Sequence, residues 1–125
     1  MRAYTVATVA VTLGVTPKWL DNVLSRFPIN GVIQSRQGVS RRLGPQAIVT
    51  LHIASELIRT LGMPVAEAIR IAERAGRADG VARIPLFSCA SLTVDVAAAA
   101  LEVNERVANA VEVTPVPKRG RPPTK

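Results

Sequence analysis

The twelve residues "LGVTPKWLDNVL", Leu13 to Leu24, set two helices against each other across a short turn. Gly14 can take the left-handed backbone that ends a helix. Thr16 is a good N-cap, and Pro17 follows at the first helical position, where a missing N–H costs nothing. Upstream, Thr5 caps a helix over residues 6–13, in which Val6, Val9, Ala10 and Leu13 fall on one face at helical spacing. Downstream, the second helix runs to about Arg26, with Leu20, Val23 and Leu24 as its buried stripe, and Phe27-Pro28 stops it. Ala10 is the small residue where the helices cross, and Val15 tucks under the turn. Two helices crossing at about 90–120° over a turn of about three or four residues need both devices. A plain helical hairpin satisfies the same chemistry, so the segments on either side decide between the two readings.

The next segment, "NGVIQSRQGVSRRL" (Asn30 to Leu43), reads as a β-hairpin. Val32 and Ile33 lie in one strand, Val39 and Leu43 in the other, and Gln37-Gly38 allows the turn. Its tip is basic, with Arg36, Arg41 and Arg42. A helix-turn-helix followed by a basic hairpin is the pattern of a winged helix. The second helix leaves Lys18, Asp21, Asn22, Ser25 and Arg26 on its outer face, and most of these side chains can reach phosphates or base edges. Pro45 opens a long helix to about Leu61, ended by Gly62, and Pro64 opens a shorter one that stops at Gly76. Trp19 is expected as a core or interface aromatic, and His52, inside the apolar long helix, as a packed or rim histidine.

Taken in order, "YTVATVAVTLGVTPKWLDNV", a wing, and "GVSRRLGPQAIVTLHIASELIRTLGMPVAEAIRIAE" resemble the DNA-binding domain of the MerR family over about residues 4–75. That pattern runs helix-turn-helix, wing, an Arg-rich strand into a long helix, then "LG" before a fourth helix. Phage excisionases and BldC-like developmental regulators share the domain. The resemblance implies a mainly α fold with DNA contacts at Thr16, Lys18, Asn22 and Arg26 of the recognition helix and at Arg36, Arg41 and Arg42 of the wing. The chain also departs from the family. Where members often place Arg and then aromatics, Leu20 is followed by Asp21, Asn22 and Val23. An acid there repels phosphate but can accept from a cytosine amino group, so no target sequence carries over.

Residues 77–114 depart further. After a turn at "RADG", the run "VARIPLFSCASLTV" is expected to form extended strands around Ser88–Ser91, with Pro85 on an edge and Cys89 as a small buried residue. Thr93 or Asp95 caps a last helix over about 94–113, with Val96, Ala99, Ala100, Val103, Val107, Ala110 and Val111 along one side. So much apolar surface must pack on the preceding domain or on a second copy. Pairing across a two-fold through residues 80–113 would make a homodimer, which suits repeated half-sites in DNA. The alternative is a ribbon and helix that close the monomer's own core.

Composition agrees with a polyanion partner. The chain has 125 residues and a net charge of +7, and with only 3% aromatic residues its core must rest on Val, Ala, Leu and Ile. Charge is unevenly placed: residues 1–44 carry six Lys/Arg and one Asp, residues 77–115 carry three basic and five acidic, and residues 116–125 carry four basic and none acidic. The last segment, "TPVPKRGRPPTK", is Pro-rich and expected to be disordered alone. Its Arg119-Gly120-Arg121-Pro122 core matches an AT-hook, in which an extended Arg-Gly-Arg lies flat in a narrow minor groove. A bare basic tail binding phosphates without preference is the simpler reading. The expected organisation is therefore a winged-helix domain over 1–76, a β segment plus helix over 77–114, and a basic tail over 115–125.

Other classes find little support. No apolar run reaches the ~18 residues of a membrane span. The start "MRAYTVATVAVTLGV" has a signal-peptide look, but it is rich in Thr, keeps helical spacing and runs into Thr-Pro-Lys. A single Cys89 permits no internal disulfide and fits a reducing cytoplasm, with association at the nucleoid expected. One Cys and one distant His52 make no metal site, and no paired carboxylates, Ser/His/Asp set or phosphate loop is evident. No catalytic residue, cofactor or metal is expected. The competing expectation is a protein-interaction module, an antitoxin or adaptor, docking a partner through residues 80–113.

Overall fold

The computed structural model describes residues 3–34 and 41–113. Arg36, the Gln37-Gly38 turn, Val39 and the whole segment with Arg119 and Arg121 lie outside the described residues. In chain order the elements are β1 (Tyr4–Thr5), α1 (Val6–Leu13), α2 (Pro17–Arg26), β2 (Val32–Ile33), β3 (Arg42–Leu43), α3 (Pro45–Leu61), α4 (Val65–Ala75), β4 (Val81–Phe87), β5 (Ala90–Asp95) and α5 (Val96–Val113). The chain is mainly helical, with two small antiparallel sheets. No helix among the described residues is long and apolar enough to cross a membrane.

The helix boundaries follow from local chemistry. Thr5 caps α1, its hydroxyl accepting from the Thr8 N–H at 3.2 Å. Gly14 ends α1 at φ 72°, and the Val15 N–H returns to the Ala10 carbonyl at 3.0 Å. Thr16 caps α2 by accepting from the Trp19 N–H at 3.0 Å, with Pro17 directly after it. Ala10, Leu20, Val23 and Leu24 are buried, and Trp19 is half-buried against the same core.

The helix α3 is the centre of the molecule. Every residue from Thr50 to Ser55 is buried, so it has no solvent face there and behaves as a core helix. Helices α1, α4 and α5 all pack on it. Among the described residues its buried side-chain polar atoms are paired with one exception, His52 Nδ1, which has no hydrogen-bond partner. Ser55 Oγ donates to the His52 carbonyl at 2.9 Å, and His52 Nε2 lies 2.9 Å from Glu102 Oε1 of α5. His52 is thus packed inside the protein, with one ring nitrogen paired across the α3–α5 junction.

The region after residue 76 joins this core. Ile84 of β4 and Val96, Val103 and Val107 of α5 belong to the same buried cluster as Val9, Leu13, Ile48 and Leu51. Helix α5 lies mainly along α1 and α3. Burying each of these aliphatic side chains contributes about 1.5–3 kcal/mol, so the last helix stabilises the monomer.

Several expectations are corrected here. Ser88–Ser91 is no strand centre: Ser88 and Cys89 form a tight turn, with β4 and β5 paired from Val81↔Asp95 to Phe87↔Ala90. No described non-glycine residue has positive φ, so this turn is outside the primed types whose twist matches a hairpin. An irregularity between Pro85 and Phe87 shifts the register and takes up the mismatch. Cys89 is exposed at that turn, not buried. Asp95, not Thr93, caps α5, accepting from the Ala98 N–H at 3.0 Å, while Thr93 pairs with Arg83 in the ribbon. Val111 is 44% exposed, although Val107 and Ala110 on the same helix are buried.

Candidate nucleic-acid interface

The outer face of α2 is set by the burial of its inner one. With Leu20, Val23 and Leu24 against the core, helical spacing leaves Lys18, Asp21, Asn22, Ser25 and Arg26 exposed. Thr16 is exposed as well, but its hydroxyl is already used as the cap. Arg26, in the last turn, lies over the Phe27 ring with its guanidinium carbon 5.2 Å from the centroid. That contact holds the charge near the helix end, where the dipole favours a cation.

The hairpin stands beside this face. In the first sheet β3 is central, with order β1-β3-β2. Leu43, fully buried, pairs with Tyr4 on one side and Val32 on the other, while Arg42 pairs with Thr5 and Ile33. The base of the hairpin is pinned three ways. The Gly44 N–H donates to the Gly31 carbonyl at 2.9 Å, the Asn30 N–H donates to Glu73 Oε2 of α4 at 3.1 Å, and Ile29 is buried. Gly31 holds φ 97°, and a Cβ there would lie 2.9 Å from the Ala47 backbone nitrogen. Only glycine lets β2 leave so close to the first turn of α3.

The acid that departs from the expected helix pattern has a partner. Arg41 Nη1 is 3.5 Å from Asp21 Oδ1, and Arg41 Nη2 donates to Ser25 Oγ at 3.3 Å. Ser25 Oγ in turn donates to the Asp21 carbonyl at 2.8 Å. Arg41 is therefore a strap between the hairpin and α2, and its side chain is only 25% exposed. Arg42, one residue on, is exposed. Lys18, Asn22 and Arg26 thus share the exposed side of α2 and Arg41 is brought against that helix, while Arg42 is exposed on β3 and no hydrogen bond or ion pair among the described residues joins it to α2. The signal for the Asp21–Arg41 pair was present in sequence as an acid facing a basic hairpin, but its geometry depends on how the hairpin docks.

Away from this face the described surface carries exposed apolar side chains on the ribbon and α5. Val81, Leu86 and Phe87 are 62%, 42% and 64% exposed, and Leu101 is 72% exposed. Comparisons with protein-family models, with curated proteins and with solved structures found no match to this chain.

Proposed function

We propose that the protein binds double-stranded DNA as a homodimeric transcriptional regulator, with α1, the Gly14 turn and α2 acting as a helix-turn-helix of MerR-like type and β2–β3 as its wing. The observation that carries this reading is the exposed α2 face, with Lys18, Asn22 and Arg26 free of the core and Arg41 strapping the basic hairpin alongside. In this arrangement Lys18 and Arg26 clamp phosphates and Asn22 reads a base edge in the major groove. Arg36 and Arg42 hold the flanking backbone, Arg41 positions the wing, and Arg119 and Arg121 reach the minor groove. The net charge of +7 supplies the attraction that brings polyanion and protein together. No catalytic group, metal or cofactor enters this function, and its place is the cytoplasm, at the nucleoid.

The exposed Val81, Leu86 and Phe87 of the ribbon supply the second copy's docking surface in this reading. The same residues favour a second reading, an antitoxin or adaptor that docks a different protein there. Molar mass by light scattering separates them, because a homodimer forms with the purified chain alone.

The functional test is fluorescence anisotropy of the full-length protein on genomic DNA fragments across a salt series. One fragment should bind far more tightly than the rest. Lys18→Ala should weaken all fragments alike and lower the salt slope by about 0.9. Asn22→Ala should flatten the preference between fragments, by about ten-fold or more for a lost bidentate contact. If Arg119→Ala/Arg121→Ala alone abolishes binding and the α2 variants change nothing, the helix-turn-helix reading is wrong.

A further inference from the structure

An open groove of about 530 Å³ runs between α3, β5 and the first half of α5. Its walls are apolar, with Ile53, Leu57, Leu92 and the exposed Leu101, yet Glu56, Asp95, Glu102 and Glu105 also line it and no Lys or Arg does. These acids are unevenly neutralised. Glu56 pairs with Arg59, and Glu102 with His52 and, at 3.9 Å, Arg106. Glu105 has no ion pair among the described residues, and Asp95 spends one oxygen on the cap of α5. A strongly basic chain therefore carries a groove of the opposite sign, with apolar walls, beside its last helix.

The segment that matches it in charge and reach belongs to the same chain. Glu105 and Glu102 lie eight and eleven residues before the end of α5 at Val113, or about 12 and 17 Å along its axis. Lys118, Arg119 and Arg121 follow that end by five, six and eight residues. At the rise of an extended Pro-rich chain this is a reach of about 16, 19 and 25 Å. Doubling back along α5 brings the three cations over Glu105 and Glu102 and towards Asp95, and it carries Pro122 to the apolar walls. We propose that residues 114–125 dock in this groove in cis, so that the acidic groove and DNA compete for one set of basic side chains. The docking stands on charge and reach alone; the competition rests on the DNA-binding reading above.

Amide chemical shifts of the full-length protein at low salt test it. Arg119→Ala/Arg121→Ala should move the signals of Ala98, Leu101, Glu102 and Glu105 and leave the buried residues of α1 and α4 unmoved. Raising salt to about 0.5 M, where exposed charges are screened, should bring the wild-type signals to the same positions. Unmoved groove signals overturn the proposal, and so do shifts that fade on dilution, which would place the tail in a second copy. Adding an A·T-rich duplex should release the groove signals to the variant's positions. A duplex that binds while the groove stays occupied overturns the competition. A duplex that fails to bind while the groove shifts persist supports the docking and sinks the DNA-binding reading instead. Glu105→Gln, which removes one groove charge and touches no core residue, should tighten duplex binding by about two-fold.

Discussion

Gly31→Ala is the substitution from which the fold's reasoning can be checked most sharply, with Gly14→Ala as its partner. Both glycines hold positive φ, 97° and 72°. At Gly14 a Cβ would meet nothing within 4 Å, so alanine carries only the left-handed backbone penalty, about 1–2 kcal/mol. At Gly31 the φ is further from the left-handed well, and the Cβ would stand 2.9 Å from the Ala47 nitrogen and 3.1 Å from its Cβ. That neighbour is backbone in the first turn of α3 and cannot rotate aside. Overpacking of this kind adds about 1–3 kcal/mol, giving about 2–5 kcal/mol in total and straining the Gly44 to Gly31 hydrogen bond. At about 4 °C per kcal/mol for a chain of this size, Gly14→Ala should lower Tm by about 4–8 °C and Gly31→Ala by about 8–20 °C. Thermal unfolding followed by circular dichroism measures both. If the two variants melt together, or Gly14→Ala is the worse, β2 does not leave α3 as closely as described, and the docking of the hairpin on α2 loses its anchor.

Other expectations follow from single contacts. Thr16→Ala removes the α2 cap and should cost about 1 kcal/mol in urea unfolding, whereas Thr16→Ser should restore it. Val103→Ala empties a fully packed site between α5 and the core and should cost about 2 kcal/mol. That loss should not depend on protein concentration; a loss that vanishes at high concentration would assign α5 to an interface between copies instead. Arg41→Ala frees Asp21 to face the phosphates, so it should weaken DNA binding more than Arg41→Ala/Asp21→Asn does in the same anisotropy assay. Hydrogen bonding to His52, helped by the charges of His52 and Arg106, holds the Glu102 carboxyl below its usual range. The stability this confers is present above the ordinary carboxylate pKa and is lost as pH falls through the depressed one. Glu102→Gln should therefore lower stability at neutral pH, and the gap to wild type should close in acid; a gap that stays constant with pH would deny the pair any role.

Sequence alone determined much of the helical framework, because caps and stops act over four or five neighbouring residues. Thr5, Gly14, Thr16-Pro17 and Pro45 placed α1, α2 and the start of α3 from local hydrogen bonding and backbone geometry. It also determined which face of α2 is polar, since a period of about 3.6 residues separates Leu20, Val23 and Leu24 from Lys18, Asn22 and Arg26. The two-residue strand β1 escaped it, because so short a pairing has no periodicity and exists only where β3 arrives beside it. The turn at Ser88–Cys89 escaped it too, as no glycine or Asn-Gly marks a turn closed without positive φ. Only the tertiary structure decided that α5 completes the monomer's core, that Arg41 reaches back to Asp21 and Ser25, and that four acids from α3, β5 and α5 share one groove. Those are meetings between residues far apart in the chain, set by how layers pack and not by the order of residues within any one of them.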